Sequence, residues 1–347
     1  MIGLKLGPRI TSRVSRILRA VTATLPPSTL KWLARKLAAT RPFGRYPGWR
    51  FAIEEQQPTI LVLARMCLWS LFRERGIPDP VRIVWYDGLS VDVVLGNDQS
   101  RCLYVSGSFE PNEFVFLGEV LSRGSVFIDI GANEGFYTIY AARRVAREGR
   151  VIAMEPSPRE LHRLQQNIAI NRLENVVVDR RAVGRQRGTA TLHVADAEHN
   201  GQNTLGDFGH NGVTAIEHIQ VNLVDLDSLV AEHALARVDV VKMDVEGSEL
   251  EVLSGAEDVL HKFRPIILFE LFDASLRKQG ASAPAVLDFL RARGYRFLTF
   301  DDATGSPRPA DEFTEMSQNV IAVHDDSPVQ SAARLSRRSR APATVDA

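Results

Sequence analysis

Five acidic residues lie at the ends of four short apolar runs, and their types and spacing make them the residues best placed to do chemistry. The acids are Asp129, Glu155, Asp179, Asp244 and Glu246. If the apolar runs are parallel β-strands, their carboxyl ends meet along one edge of a sheet, which is where open α/β sheets bind ligands. The sequence therefore predicts a ligand site lined by carboxylates at that edge, with the side chains of Asp129 and Glu155 at solvent-facing strand ends.

A glycine-rich turn follows the first of these acids. After Asp129 the sequence reads IGANEG, which places glycines at positions 131 and 135 before a predicted helix. Glycine lets the backbone turn tightly and approach a ligand closely, and the start of a helix presents free N–H groups. The turn lacks both the GxGxxG pattern of dinucleotide sites and the Gly-Lys-Ser/Thr pattern of phosphate loops. It is therefore better suited to a cationic amino-acid group, such as that of S-adenosylmethionine.

Two further strand ends suit the nucleoside part of such a ligand. Glu155 lies 26 positions beyond Asp129, and a carboxylate there can accept hydrogen bonds from both ribose hydroxyls, in adenosyl and nicotinamide cofactors alike. The alternative is an exposed acid that helps to start the next helix. Asp179 and the backbone near Ala182 are candidates for contact with the adenine, and the alternative for Asp179 is a solvated acid.

Alternating strand and helix patterns must position these acids. The predicted strands are 126–130, 151–155, 176–179, 238–244, 265–270 and 318–323. The predicted helices are 113–122, 136–147, 158–172 and 249–260. Strands that alternate with helices in this way predict an α/β domain with a doubly wound, mostly parallel sheet.

Other segments flank this domain. A helix over 58–75 and a β-hairpin around Asp87-Gly88 are predicted before it. These patterns predict that the chain divides into a basic helical arm (1–55), a segment of helix and hairpin (56–108), the main domain (109–325) with an insertion (184–223), and a tail (326–347). The tail is polar and rich in Arg and Ala, which predicts disorder.

Several motifs resemble one family in their order and spacing. DIGANEG, AMEPSP, KMDVEGSELEVLSGA and PIILFE, with SFEPNE before them, resemble the FkbM-type methyltransferases over residues 109–323. This resemblance implies a Rossmann-like methyltransferase fold with a seven-stranded sheet, and S-adenosylmethionine as the cofactor. It also implies an activity, which is methyl transfer to an oxygen of a sugar, a glycolipid or another small-molecule acceptor.

The resemblance implies roles for individual residues. The residues that would line the methionine part of the cofactor are Asp129, Gly131, Ala132, Asn133 and Gly135. Glu155 would bind the ribose, and Asp244 would lie near the methionine end and the transferable methyl group. FkbM-like proteins share Asn133 at a position where most of the superfamily has glycine.

Methyl transfer to a hydroxyl is faster when a base removes the hydroxyl proton. Two glutamates are candidates for this base. Glu246 and Glu270 end or follow apolar strands on the binding side, where partial burial would raise the proton affinity of a carboxylate. The alternatives are a helix-capping role for Glu246 and a structural arginine partner for Glu270. Asp244 and Glu246 could share a cation such as Mg²⁺, but the sequence offers no third ligand, so no metal site is predicted.

The insertion is the predicted substrate lid, because a loop of this length is uncommon unless it is functional or mobile. Within it, GTATLHV and IQVNLVDL predict paired strands, and Asn200 and Asn203 are candidate binders of acceptor hydroxyls. Its four histidines, at positions 193, 199, 210 and 218, are each interpreted as solvated loop residues rather than bases.

The net charge of zero hides a basic arm. Residues 1–50 contain eleven Lys and Arg and no acid. The first predicted helix places apolar residues on one face, at Ile10, Val14, Ile17, Leu18 and Val21. A basic amphipathic helix can lie on an anionic membrane. The alternatives are that the arm packs on the rest of the protein, or that it is a transit-like segment that is removed.

Composition limits the remaining classes of function. Cys67 and Cys102 form neither a disulfide framework nor a zinc motif, and the longest apolar run, at 59–72, is too short to cross a bilayer. A cytoplasmic protein is therefore expected, and peripheral contact at the inner membrane face through residues 1–50 is one of the alternatives for the arm. The acidic main domain does not favour nucleic acid as a partner. Two rival functions are a nicotinamide-dependent oxidoreductase, which should show GxGxxG, and a non-catalytic adenosyl-binding module.

Overall fold

The computed structural model describes residues 8–39, 60–301, 304–314 and 318–329. The chain forms two compact units. The first contains residues 1–111 and 197–201, and the second contains residues 112–196 and 202–347. The predicted division at 108–109 falls close to the first of these boundaries. The attachment of residues 197–201 to the first unit is not predicted by the sequence.

The first unit consists of helices and one β-hairpin. Its elements are α1 (Pro8–Thr22), α2 (Pro27–Ala39), α3 (Ile60–Arg75), β1 (Pro80–Val84), a 3-10 turn (Tyr86–Gly88), β2 (Ser90–Val94), a helical turn (Asp98–Ser100) and a π-helix (Arg101–Ser106). The strands β1 and β2 pair antiparallel, and Asp87 and Gly88 between them have φ of 51° and 75°. Positive φ at both central residues is the type I′ geometry that Asp-Gly predicts.

The second unit alternates strands and helices. Its strands are β3 (Val126–Ile130), β4 (Arg150–Met154), β5 (Val176–Asp179), β6 (Ala182–Val183), β7 (Gly188–Ala195), β8 (Ala215–Val224), β9 (Val240–Met243), β10 (Ile266–Leu271), β11 (Tyr295–Phe300), β12 (Pro307–Pro309) and β13 (Gln318–His324). Its helices, the first of which starts at the boundary, are α4 (Pro111–Val120), α5 (Phe136–Val145), α6 (Pro158–Ile170), α7 (Leu226–Glu232), α8 (Glu249–Ser254), α9 (Glu257–Phe263), α10 (Asp273–Lys278) and α11 (Ala283–Arg291).

Eight strands form one sheet in the order β12-β11-β13-β10-β9-β3-β4-β5. The strands from β10 to β5 run parallel, and β13, β11 and β12 add antiparallel pairs on the other side. Strand β3 is buried along its whole length, which explains why its sequence is a continuous apolar run rather than an alternating one. The predicted doubly wound, mostly parallel α/β fold is confirmed. The sheet has one strand more than the seven expected, because β12 is a three-residue edge strand with two prolines and no strand pattern in its sequence.

The insertion contributes β7 and most of β8 to a second sheet of three strands, in the order β6-β8-β7. Strands β7 and β8 pair antiparallel, as GTATLHV and IQVNLVDL predict, with an irregularity between Val194 and Ala195. The predicted disordered tail lies mostly outside the described residues, as does the end of the predicted arm. Across the described part of the chain, none of the helices is long and apolar enough to cross a membrane.

Candidate active site

The strand order reverses beside β3, which lies between β4 and β9. This is the place where open α/β sheets bind ligands. The parallel register sets Asp129 beside Lys242 of β9, and β9 in turn sets Met243 beside Phe269 of β10. The carboxyl ends of β3, β4, β9 and β10 therefore face one edge of the sheet, as the sequence predicts.

Asp129 is fully buried at the end of β3. Thr138 Oγ1 donates a hydrogen bond to Asp129 Oδ2 at 2.6 Å. Burial raises the pKa of the Asp129 carboxyl, and the nearby Lys242 ammonium works against that rise. The expectation of a solvent-facing strand end is wrong for this residue, because β4, β9 and α5 enclose it.

The glycine turn is closed tightly against its neighbours. Gly131 has a φ of 77°, and a Cβ built on it would lie 1.9 Å from the backbone oxygen of Asp244. Gly135 has a φ of 89°, and its Cβ would lie 2.4 Å from Leu164 Cδ1. The glycines thus permit both the left-handed backbone and the close approach of the loop after β9.

We predict that Gly131→Ala destabilises the protein more than Gly280→Ala does. Both glycines have a φ of 77°, but a Cβ at Gly280 would meet nothing within 4 Å. The left-handed backbone costs an alanine roughly 1–2 kcal/mol at either position, and overpacking adds about 1–3 kcal/mol at Gly131 only. Urea unfolding of the two variants measures the difference, and equal free energies of unfolding would contradict the close contact.

Glu155 follows β4 and joins two backbone segments. Its Oε2 accepts the N–H of Asn133 and its Oε1 accepts the N–H of Ser157, each at 2.8 Å. The residue is 4% exposed, and burial, together with the charge of Glu160, raises its pKa to about 8. Ser157 is the N-cap of α6, so Glu155 also helps to order the start of that helix, and the expected solvent exposure is wrong here too.

We predict that the protein loses stability as the pH rises from about 5 to 8. Burial raises the pKa of Glu155 to about 8 and that of Glu249 to about 7, so the folded state holds these protons more tightly than the unfolded state does. The two glutamates contribute fully to the free energy of unfolding below their pKa in the unfolded chain, near 4.3. This contribution is lost as the pH rises through the folded-state pKa values of about 7 and 8. Thermal unfolding at constant ionic strength should show a falling midpoint over this range and a flatter profile in Glu155→Gln. A midpoint that rises from pH 5 to 8 would be the opposite result.

Three carboxylates come together after β9 and on β10. Oxygen atoms of Asp244, Glu246 and Glu270 all lie within 4.8 Å of one another. Glu270 is therefore the third potential cation ligand, which could not be identified from the sequence beside Asp244 and Glu246. Lys242 Nζ lies 3.0 Å from Asp244 Oδ2 and supplies positive charge to this carboxylate triad. Oxygen ligands at this spacing could hold a hard cation, but carboxylates also cluster without one.

Glu246 is the buried member of the triad. It has a φ of 51°, is 9% exposed, and its pKa is raised well above the usual range by burial and then by the charge of Glu270. Glu249 Oε1 accepts the N–H groups of Val245 and Gly247, both before α8, at 3.4 Å. Among the described residues, no hydrogen bond joins the Glu246 side chain to the start of α8, so the alternative capping role of Glu246 is not seen.

Residues after β7 fasten the insertion to the loop after β9. Thr204 Oγ1 donates to the backbone oxygen of Glu246 at 3.0 Å, and Gln279 Nε2 donates to the same oxygen at 2.6 Å. Gln279 also accepts a hydrogen bond from Ser248 Oγ at 2.7 Å. The predicted lid segment is therefore bonded to the backbone that carries a candidate base.

His210, on the same segment, lies against the triad. Its Nε2 is 3.6 Å from Glu246 Oε2, and its ring stacks on that of Phe272 with the centroids 4.6 Å apart. His210 is a loop residue, as the sequence suggests, but its side chain is only 30% exposed and lies beside Glu246 rather than fully in solvent. Sequence reasoning missed this contact because nothing near His210 indicates which strand end it meets, although Gly209 beside it packs closely on Ser275.

Comparison with known proteins identifies the family. The model of the methyltransferase FkbM domain matches residues 129–297. The 31-O-demethyl-FK506 methyltransferase FkbM of Streptomyces tacrolimicus is 32% identical over 213 residues, which cover 53% of this chain and 78% of that protein. The chain belongs to the FkbM methyltransferase family. Its cofactor is accordingly S-adenosylmethionine.

Other matches of this FkbM methyltransferase are weaker or partial. The 2-O-methyltransferase NoeI of Sinorhizobium fredii is 26% identical, over 48% of this chain and 70% of that protein. The chain spans 11% of the length of the antimetabolite synthetase AmbE of Pseudomonas aeruginosa, at 29% identity. The O-methyltransferase structure from Bacillus cereus is 14% identical and has a TM-score of 0.39, covering 62% of this chain and 82% of that one.

The adenine candidates of this FkbM methyltransferase lie at the end of β5 and in β6. The Asp179 carboxylate accepts hydrogen bonds from the Arg181 side chain and backbone, at 2.7 to 3.1 Å, and Arg181 also pairs with Glu232. Burial alone would raise the pKa of Asp179, but the bonds from Arg181 outweigh it and lower the pKa. Ala182 is buried in β6. The Asp179 carboxylate is thus already engaged within the chain, so its contact with adenine stays a prediction.

The two predicted hydroxyl binders belong to different units of the chain. Asn203 Oδ1 accepts the N–H of Ala195 at 2.9 Å, and its Nδ2 donates to Glu160 Oε2 at 3.1 Å, so its amide bonds within the chain. Asn200 is buried and belongs to the first unit. A role for either side chain in binding the acceptor stays a prediction.

Proposed function

We propose that this protein transfers a methyl group from S-adenosylmethionine to a hydroxyl oxygen of a sugar, a glycolipid or another small-molecule acceptor. The observation behind the proposal is that the glycine turn touches the loop of the carboxylate triad, since a Cβ at Gly131 would lie 1.9 Å from the backbone oxygen of Asp244. A candidate base is thus beside the turn that holds the cofactor. The names of two relatives, which specify 31-O-demethyl and 2-O, describe methylation of oxygen and support this acceptor class.

The residues of the turn fit the cofactor. Asp129 Oδ1 is buried and has no hydrogen-bond partner among the described residues, which suits an ammonium group. The two Glu155 oxygens each accept one backbone N–H, and a carboxylate oxygen has two lone pairs, so both retain acceptor capacity for ribose hydroxyls. When bound, S-adenosylmethionine supplies an activated methyl group on a positively charged sulfur.

Glu246 is the proposed proton acceptor, with Glu270 as the second candidate. Burial and the neighbouring carboxylates raise the proton affinity of Glu246, and a base of raised pKa is better matched to a weakly acidic hydroxyl. The hydroxyl proton passes to Glu246 as the acceptor oxygen is methylated. His210 Nε2, 3.6 Å away, is placed to take that proton from the insertion side. General-base help of this kind is worth roughly 10²–10⁴-fold, and positioning of the acceptor supplies the rest.

Transfer of labelled methyl groups tests the proposal. The protein is incubated with S-adenosylmethionine labelled in the methyl group and with glycolipid and metabolite fractions, and Asp129→Asn serves as the control for loss of the cofactor site. Label in an acceptor, with S-adenosylhomocysteine formed in equal amount, is the expected result. Binding of S-adenosylmethionine without transfer to any fraction would favour a non-catalytic adenosyl-binding module. Binding of NAD⁺ in place of S-adenosylmethionine would favour an oxidoreductase.

A further inference from the structure

Helix α1 packs on α3 with one side only. Leu18 is half-buried, and Thr22 Oγ1 lies 3.2 Å from Cys67 Sγ on α3. Arg19 pairs with Glu74 at 2.6 Å. These contacts fix which side of α1 meets the rest of the first unit.

The side of α1 next to this contact exposes large apolar residues. Ile17 is 62% exposed and Val21 is 60% exposed. Residues four apart lie on the same helical face, so the two form one stripe. Arg13 and Arg16 are exposed beside it. Isolated apolar residues on a surface are ordinary, but a stripe of two aliphatic side chains flanked by arginines is the pattern of an interfacial helix.

The charged side chains that α1 and α2 themselves carry all have one sign. The sequence contains no acid before Glu54. On α2, Trp32 is 57% exposed and Lys36 Nζ lies 5.9 Å from its ring centroid. Aromatic rings and basic residues are both favoured at the boundary between lipid and water.

We propose that the outer stripe of α1, formed by Arg13, Arg16, Ile17 and Val21, docks on an anionic lipid bilayer. Arginines alone would bind any polyanion. Burial of the Ile17 and Val21 side chains, however, is favourable only where the partner offers an apolar phase. The acidic charge of a phospholipid surface and its acyl boundary together match both parts of the stripe. The proposal does not depend on the methyl-transfer reaction.

The test uses the full chain and sedimentation with vesicles of phosphatidylcholine, with and without phosphatidylserine. We expect binding only to the anionic vesicles and weaker binding in high salt, because exposed charges are screened. Neutralising one arginine is expected to weaken binding about fivefold. The double variant Ile17→Ser/Val21→Ser should weaken binding to anionic vesicles at least tenfold. The double variant Arg13→Gln/Arg16→Gln should weaken this binding at least tenfold and also reduce its dependence on salt.

Matched controls come from exposed residues of the second unit. Ile216 is 60% exposed and provides Ile216→Ser, and Arg123→Gln/Arg147→Gln changes the charge by the same amount as the α1 double variant. The controls should bind vesicles like the parent, and circular dichroism should show all variants folded. No binding of the parent to anionic vesicles would overturn the proposal. Equal loss in the control variants, or normal binding by Ile17→Ser/Val21→Ser, would also overturn it and indicate general attraction between basic protein and polyanion.

Discussion

Replacing Asp129 with asparagine should weaken the binding of S-adenosylmethionine and S-adenosylhomocysteine by about 10- to 150-fold. The fully buried carboxylate offers Oδ1 for a charge-assisted hydrogen bond, and hydrogen bonds to charged groups contribute about 1.5–3 kcal/mol. Asparagine keeps the shape and can still accept the Thr138 hydroxyl. Alanine would leave that hydroxyl without its acceptor inside the core and would confuse binding with stability. Calorimetry with both ligands measures the change.

A second buried aspartate provides the control. Asp239 is 2% exposed, and its Oδ2 accepts the N–H of Val126 at 2.7 Å, at the opposite end of β3 from Asp129. Asp239→Asn should lower the free energy of unfolding and leave both dissociation constants unchanged. If Asp129→Asn binds S-adenosylhomocysteine like the parent, the proposed position of the methionine part is wrong.

Replacing Glu246 with glutamine should reduce turnover about 10²-fold or more while S-adenosylmethionine still binds. Glutamine keeps the size and most of the hydrogen bonding of the side chain but cannot take a proton, and a positioned base contributes roughly 10²–10⁴-fold. The backbone bonds from Thr204 and Gln279 to Glu246 do not depend on its side chain, so the local loop should persist. Turnover per folded molecule, measured beside Glu270→Gln, shows which glutamate is the base.

The ratio of two affinities separates a base from a counter-charge. If a triad carboxylate only balances the positive sulfur, its glutamine variant should bind S-adenosylmethionine less well but S-adenosylhomocysteine normally, because only the former carries the charge. A base variant should bind both normally and turn over slowly. Normal turnover in both glutamine variants would remove the two glutamates from the mechanism and direct attention to His210. Activity restored by added Mg²⁺ would indicate that the triad holds a cation.

The strand ends could be predicted from the sequence because their signals are local. An apolar run, a terminal acid and a glycine turn stand within ten residues of one another around Asp129, and the type I′ turn at Asp87-Gly88 is equally local. The ion pair between Asp179 and Arg181, which are only two residues apart, could have been predicted in the same way. The spacing of acids along the chain therefore predicted which edge of the sheet to examine.

The rest depends on tertiary packing. Glu270 joins Asp244 only because β10 lies beside β9 in parallel register. His210 reaches Glu246 because the insertion folds back over the loop after β9, and no periodicity in the sequence records that path. The burial of Asp129 likewise follows from the strands on both sides of β3, whereas a strand end considered alone suggests exposure to solvent.

The most direct measurement is to identify the atom that receives the methyl group. The protein is supplied with S-adenosylmethionine carrying carbon-13 in the methyl group and with the acceptor fraction that takes up label, and the product is examined by carbon-13 NMR. We predict a resonance of a methyl ether, one equivalent of S-adenosylhomocysteine, and no product with Asp129→Asn. Label on nitrogen or carbon, or label that never leaves S-adenosylmethionine while the cofactor stays bound, would contradict O-methyl transfer by this site.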